Sequence, residues 1–179
     1  GTDISLEQLR EDYQAVFVGI GTQKSTALTV KGNDLAGVFP GLEFLYRASS
    51  EDKPAMQGHV IVVGGGDVAM DAACSAIRLG AQKVTIVYRR SEKELPAIPE
   101  EIHHAKEEGV KFEFLVQPVA FKGDDNGYVR TMTCLRCQLG APDASGRKRP
   151  EPIKNSEFDT SCDIAIIALG IAPFLIQFM

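Results

Sequence analysis

Gly64, Gly66 and Ala69 stand at G-x-G-x-x-A spacing in HVIVVGGGDVAMDA, residues 59–72. Each small residue has a physical task at such a turn. Gly64 lets the chain leave a strand sharply, Gly66 lets the backbone approach a pyrophosphate, and Ala69 lets the following helix pack closely on the strand. Gly65, Asp67 and Val68 complete the loop. The free N–H groups of a helix starting there face bound phosphates, and the helix dipole favours their negative charge. A second pair of residues, Arg89 and Arg90, follows the next apolar run. A dinucleotide site that takes NAD usually has Asp or Glu there to accept hydrogen bonds from the ribose 2′-hydroxyl. Guanidinium groups would instead pair with a 2′-phosphate, often bidentately. At about 1.5 kcal/mol per Arg, two forks would favour NADPH over NADH roughly a hundredfold. Exposed arginines that serve only solubility are the alternative. An S-adenosylmethionine site would call for an acidic ribose-binding residue where Tyr88-Arg89 stands.

These residues need elements to hold them. Residues 59–63 read as a strand buried on both faces, since every residue after His59 is β-branched and apolar. Residues 67–79 repeat apolar residues at helical spacing (Val68, Ala72, Ala76, Leu79), with Gly80 as the stop. Residues 83–88 form a second strand and complete a βαβ unit. Pro99 opens a helix that ends at Gly109, with Glu100 and Glu101 in its first turn. Before it, residues 91–96 read as a loop over the adenosine end. Residues 110–116 read as a third strand, 117–122 and 128–139 as a hairpin, and 163–169 as a last apolar strand. Upstream, Ser5 and Gln8 form a capping box for a short helix. Residues 13–20 read as an apolar strand, 23–40 as a polar connection, 41–50 as a helix and 49–58 as a linker.

The stretch GGGDVAMDAACSAIRLGAQKVTIVYRRSEKELPAIPEEIHHAKEEGVKFEFL, residues 64–115, resembles the pyridine-nucleotide domain of the glutamate synthase small-subunit-like flavoproteins. Residues 13–22, 35–45, 145–153 and 162–173 resemble other parts of that family in the same order, so the likeness covers nearly the whole chain. It implies an α/β fold: a Rossmann-like parallel sheet with an inserted antiparallel β-meander, in three layers. It also implies a division into 1–53, a flavin-domain segment and linker; 54–170, the NAD(P)H-binding domain; and 171–179, a return towards the flavin domain. Leu169 and Gly170 take the family's position near the nicotinamide. NADP(H) is the implied cofactor here, with FAD in a longer parent that passes hydride from NADPH to flavin. Electrons then leave to iron–sulfur centres or a partner subunit. Because cofactors carry that chemistry, no side chain is assigned as acid, base or nucleophile. The alternatives are an NADH-specific version and a regulatory domain that kept the fold and lost the ligand. The apolar end at 174–179, the start at Gly1 and the absence of two flavin motifs suggest an excised piece.

Composition sets the limits. The chain has 179 residues, 44% of them hydrophobic, and a net charge of −5. That charge gives no reason to expect nucleic acid or an anionic membrane as partner. The richest apolar stretch, 164–176, is interrupted by Gly170 and Pro173, so no membrane span is expected. A cytoplasmic protein is expected. Cys134 and Cys137 lie on a strand at i and i+3, pointing to opposite faces, and so fit packing better than a metal or disulfide. No C-x-x-C precedes Gly64, unlike thioredoxin reductases. His103 and His104 diverge by about 100° on their helix and cannot chelate one ion together. The run Arg147-Lys148-Arg149 reads as a solvated loop, with docking of an electron-transfer partner as the sharper use. Asp71 is expected to bond loop backbone, with no ligand contact.

Overall fold

The computed structural model describes residues 3–17, 19, 21–22, 24–51 and 53–172. In chain order its elements are α1 (Leu6–Asp12), β1 (Lys24–Ser25), β2 (Val38–Pro40), α2 (Gly41–Ser49), β3 (His59–Gly64), α3 (Asp67–Arg78) and β4 (Lys83–Tyr88). A 3₁₀ turn at Glu92–Glu94 follows. Then come α4 (Pro99–Glu107), β5 (Lys111–Phe114), β6 (Val116–Gly123), β7 (Val129–Pro142), β8 (Lys148–Pro152), β9 (Phe158–Ser161), β10 (Ile164–Ala168) and β11 (Ile171–Ala172).

The central sheet has the order β2-β10-β3-β4-β5, and every pair in it is parallel. Strand alternation sends its side chains to two different partners. Val60, Val62, Val84, Ile86 and Ile166 face the helices with Phe44, Met70 and Ala73. Ile61, Val63, Val87, Ala165 and Ile167 face the meander with Val116, Phe121, Val129 and Met132. Both faces are therefore covered, which explains why β3 reads as an unbroken apolar run rather than an alternating one. The layers are helices, parallel sheet and antiparallel meander, as expected. In the meander, β7 pairs antiparallel with β6 and β9 through its first half and with β8 through its second.

α3 can lie close to the sheet because its inner face is small: Ala69, Ala72, Ala73 and Ala76 are fully buried. Its end is set by Gly80 at φ +102. α1 carries the expected capping box, with Gln8 N–H donating to Ser5 Oγ at 3.1 Å and Ser5 N–H to Gln8 Oε1 at 2.9 Å. Among the described residues no helix is long and apolar enough to cross a membrane.

Four local expectations need correction. In segment 13–20 the described residues form no strand. Tyr13, Val16 and Phe17 are exposed, because no neighbouring strand pairs with them. Val18 and Ile20 lie outside the described residues, as do residues 173–179 of the expected return segment. Residues 23–40 are more than a connection. β2 forms the edge of the central sheet beside β10, and β1 pairs with β11. The expected strand 110–116 breaks at Leu115, whose φ of +59 turns Val116 out of the parallel sheet and into the meander. Lys148 begins β8 rather than lying in a loop.

Candidate nucleotide-binding site

The carboxyl ends of β3, β4 and β10 open into a cleft of about 510 Å³. This is where open parallel sheets of this kind bind ligands. Its floor is Gly64, Gly65, Gly66, Asp67 and Val68, and its far end is Ala168, Leu169 and Gly170. One wall is the tip of β4 with Arg89 and Arg90. A second wall comes from the meander, with Val116, Gln117, Pro118 and Arg147. Of the ten residues expected from the sequence, only Ala69 does not line the cleft; it is fully buried beneath α3, as its packing task requires.

The three glycines differ in what demands them. Gly64 has φ +148, and a Cβ there would stand 2.0 Å from the carbonyl oxygen of Ala168 on the adjacent strand. A Cβ on Gly65 would meet the Tyr88 ring at 2.7 Å and Leu95 at 2.8 Å. On Gly66 it would meet only Pro96, at 3.9 Å. The first two glycines are therefore required by the fold itself. Gly66 is not, and it borders the cleft at the start of α3, where no side chain caps the helix. A floor left without a side chain, beside uncapped helix N–H groups, is the arrangement a pyrophosphate needs.

Asp67 takes the role expected of Asp71. Its Oδ1 accepts the Ile98 N–H at 3.0 Å, and Ala97 N–H donates to the Gly65 carbonyl at 3.2 Å. With Tyr88 Oη donating to the Glu94 carbonyl at 2.8 Å, these bonds hold residues 91–98 as a strap along the fingerprint loop. The expected loop thus contains a 3₁₀ turn and is fixed at three points. Asp71 is exposed and lines a polar gap between α3 and α4 instead.

Arg90 departs from expectation. Its guanidinium is buried, and Nε donates to the Lys148 carbonyl at 2.9 Å while Nη2 pairs with Asp143 Oδ2 at 2.6 Å. It ties the β7–β8 turn to the tip of β4 and is not a free fork. Asp143 is held below the usual carboxylate range, first by the Ser145 hydroxyl and backbone N–H and also by Arg90. Arg89 is exposed in the cleft, and among the described residues it has no hydrogen bond or ion pair. Arg147, expected in a solvated loop, lines the cleft wall. Its basic run was visible in the sequence, but nothing local showed that a hairpin turn would bring it to the same cleft as Arg89. Gln117 and Pro118 were likewise read only as strand.

The cysteines are free and buried. Cys134 packs in the meander-side cluster, where burial pushes its thiol up to about 12, and burial also raises Cys137 on the other face of β7. His103 pairs with Glu107 at 3.3 Å. Among the described residues no group of three or more His, Cys, Asp or Glu is placed to hold a metal ion.

A family model described as pyridine nucleotide-disulphide oxidoreductase matches residues 4–175. The chain belongs to that family. Among curated relatives it is 44% identical over 178 residues to the NADP(+)-dependent formate dehydrogenase subunit beta of Moorella thermoacetica. It is 45% identical over 181 residues to the NADPH-Fe(3+) oxidoreductase subunit beta of Geobacter sulfurreducens, and 38% identical over 190 residues to the glutamate synthase (NADPH) small chain of Escherichia coli. The matches take in 98%, 98% and 100% of this chain, but only 25%, 26% and 40% of those relatives. The chain thus spans about a quarter to two-fifths of their length. In fold it is similar to Mycobacterium tuberculosis FprA in complex with NADPH, with a TM-score of 0.81 at 18% identity, over 98% of this chain and 54% of that one.

Proposed function

We propose that this chain is the NADPH-binding part of an FAD-dependent oxidoreductase of the glutamate synthase small-subunit type. The observation that carries the proposal is the cleft floor. Gly66 has no neighbour closer than 3.9 Å to an added Cβ, α3 has no side-chain cap, and Arg89, without an ion pair among the described residues, stands at the tip of β4. Gly64–Gly66 would hold the pyrophosphate, Arg89 the 2′-phosphate, and Leu169 and Gly170 the nicotinamide end. The chemistry that bound NADPH would supply is hydride for a flavin of the parent, with iron–sulfur centres or a partner subunit as the onward acceptors. This chain's own residues bind and orient. In the parent, residues 1–53 and 171–179 belong with the flavin side and 54–170 with the nucleotide side, except that β2 and α2 pack on the nucleotide sheet. The four buried free thiols suit a reducing, cytoplasmic setting.

The names of the relatives support NADPH, since the three described above are named for NADP(+) or NADPH. The commitment of Arg90 to Asp143 is the observation that favours the NADH alternative, because it removes one of the two expected forks. With Arg89 alone, the preference for NADPH falls to about tenfold. Thermal unfolding of the chain with NADPH, NADH and S-adenosylmethionine separates the readings. A ligand at a hundred times its Kd stabilises by about 2.7 kcal/mol. NADPH is expected to raise the midpoint most, and Arg89→Ala to remove most of its advantage over NADH. A midpoint unmoved by all three would favour a domain without a nucleotide.

A further inference from the structure

We propose that Arg147 is a specificity residue for the 2′-phosphate, and that Arg90 with Asp143 is the strut that positions it. The inference rests on the NADPH reading and identifies the second guanidinium of that site. The turn between β7 and β8 is closed by Gly146 N–H to the Asp143 carbonyl at 2.9 Å and by Asp143 N–H to the Arg147 carbonyl at 2.8 Å. Arg90 holds this turn at both ends, through the Asp143 carboxylate at 2.6 Å and the Lys148 carbonyl at 2.9 Å. Arg147 lies between those two anchors, so its backbone is fixed relative to the tip of β4. Its Nε donates to Ser145 Oγ at 3.0 Å, and among the described residues it forms no ion pair. Two guanidinium-bearing residues, Arg89 after β4 and Arg147 in the β7–β8 turn, therefore line one cleft, and among the described residues no carboxylate pairs with either. Like charges gathered around a cleft are relieved by an anion between them, and a phosphate accepts bidentate bonds from each side. The same geometry explains why Arg90 is buried although it follows Arg89 directly. A strut must be rigid, and a guanidinium fixed at two points is rigid.

The test is the affinity of the full chain for NADPH and for NADH, measured by calorimetry on wild type, Arg147→Gln, Asp143→Ala and the double variant. Arg147→Gln is expected to weaken NADPH about tenfold and to leave NADH within about twofold. Asp143→Ala is expected to lower the NADPH-to-NADH ratio severalfold in the wild-type background and not at all in the Arg147→Gln background. A purely structural turn would not produce that coupling. Equal weakening of both nucleotides by Arg147→Gln would place it on the pyrophosphate and overturn the assignment, as would an unchanged ratio. An Asp143→Ala effect that persists undiminished in the double variant would overturn the strut. Wild type that takes up neither nucleotide would overturn the NADPH reading and this assignment with it.

Discussion

The two walls of the cleft are built over very different distances along the chain. The floor and the β4 wall come from residues 59–90, a single βαβ unit whose glycines, small helix face and apolar strands all act on near neighbours. The second wall joins Val116–Pro118 to Arg147, and it exists only because β6, β7 and β8 pair in register and Arg90 pins their turn. The first wall is a strand-to-helix turn with steric requirements at each position. The second is set by strand pairing and packing remote from the glycine loop. Under the proposed function, the local wall would supply the general capacity to bind phosphate and the long-range wall the choice between nucleotides.

Mutations that break one wall and spare the other sharpen this contrast. The largest effect is expected beneath the meander wall. Met132 is fully buried in the cluster that joins the meander to the sheet, and Met132→Ala should cost about 2–5 kcal/mol in urea unfolding. Gly64→Ala comes next, with about 2–4 kcal/mol expected from the crowded Ala168 carbonyl and the left-handed φ. Its partner, Gly66→Ala, should leave stability within about 0.5 kcal/mol yet weaken both nucleotides at least tenfold, because its Cβ points into space the phosphates need. If the two glycine variants unfold alike, the distinction between a fold glycine and a ligand glycine fails.

Asp67→Ala should loosen the strap at Ile98 and cost about 1 kcal/mol, and hydrogen exchange at residues 95–98 should rise with it. The smallest effect is expected far from both walls. His59 sits below its ordinary 6.5, mainly through burial and secondarily through Lys83, and its Nε2 lies 2.9 Å from Thr85 Oγ1. A lowered folded-state pKa means that the unfolded chain binds the proton more readily. The contribution of His59 is thus full above pH 6.5 and declines as the pH falls through that value. The difference in unfolding midpoint between wild type and His59→Gln should therefore narrow between pH 8 and pH 5.5. A constant difference would remove the assignment.

Much of the architecture could be read in advance because its signals are local. β4 begins and ends at the expected residues 83 and 88, α3 starts at Asp67, and Gly80 ends it, since glycine turns, caps and helical periodicity act within a few residues. The misreadings share one cause. Residues 38–40 become a strand only because β10 lies beside them, and Leu115 leaves its strand only because the meander needs Val116. Asp67 and Asp71 differ only in which reaches the strap.

The residues alone determined a strand–glycine loop–helix with small inward faces and a basic pair after the next strand, since those features follow from sterics and spacing within one βαβ unit. Only the folded chain decided what each arginine does. Arg90 is buried because Asp143, which follows it by 53 residues, reaches it from the β7–β8 turn; exposed Arg89 and half-buried Arg147 line the cleft, and among the described residues no carboxylate pairs with either. Charge is written in the sequence, but its partner is chosen by long-range pairing, which depends on strand register rather than on any neighbouring residue.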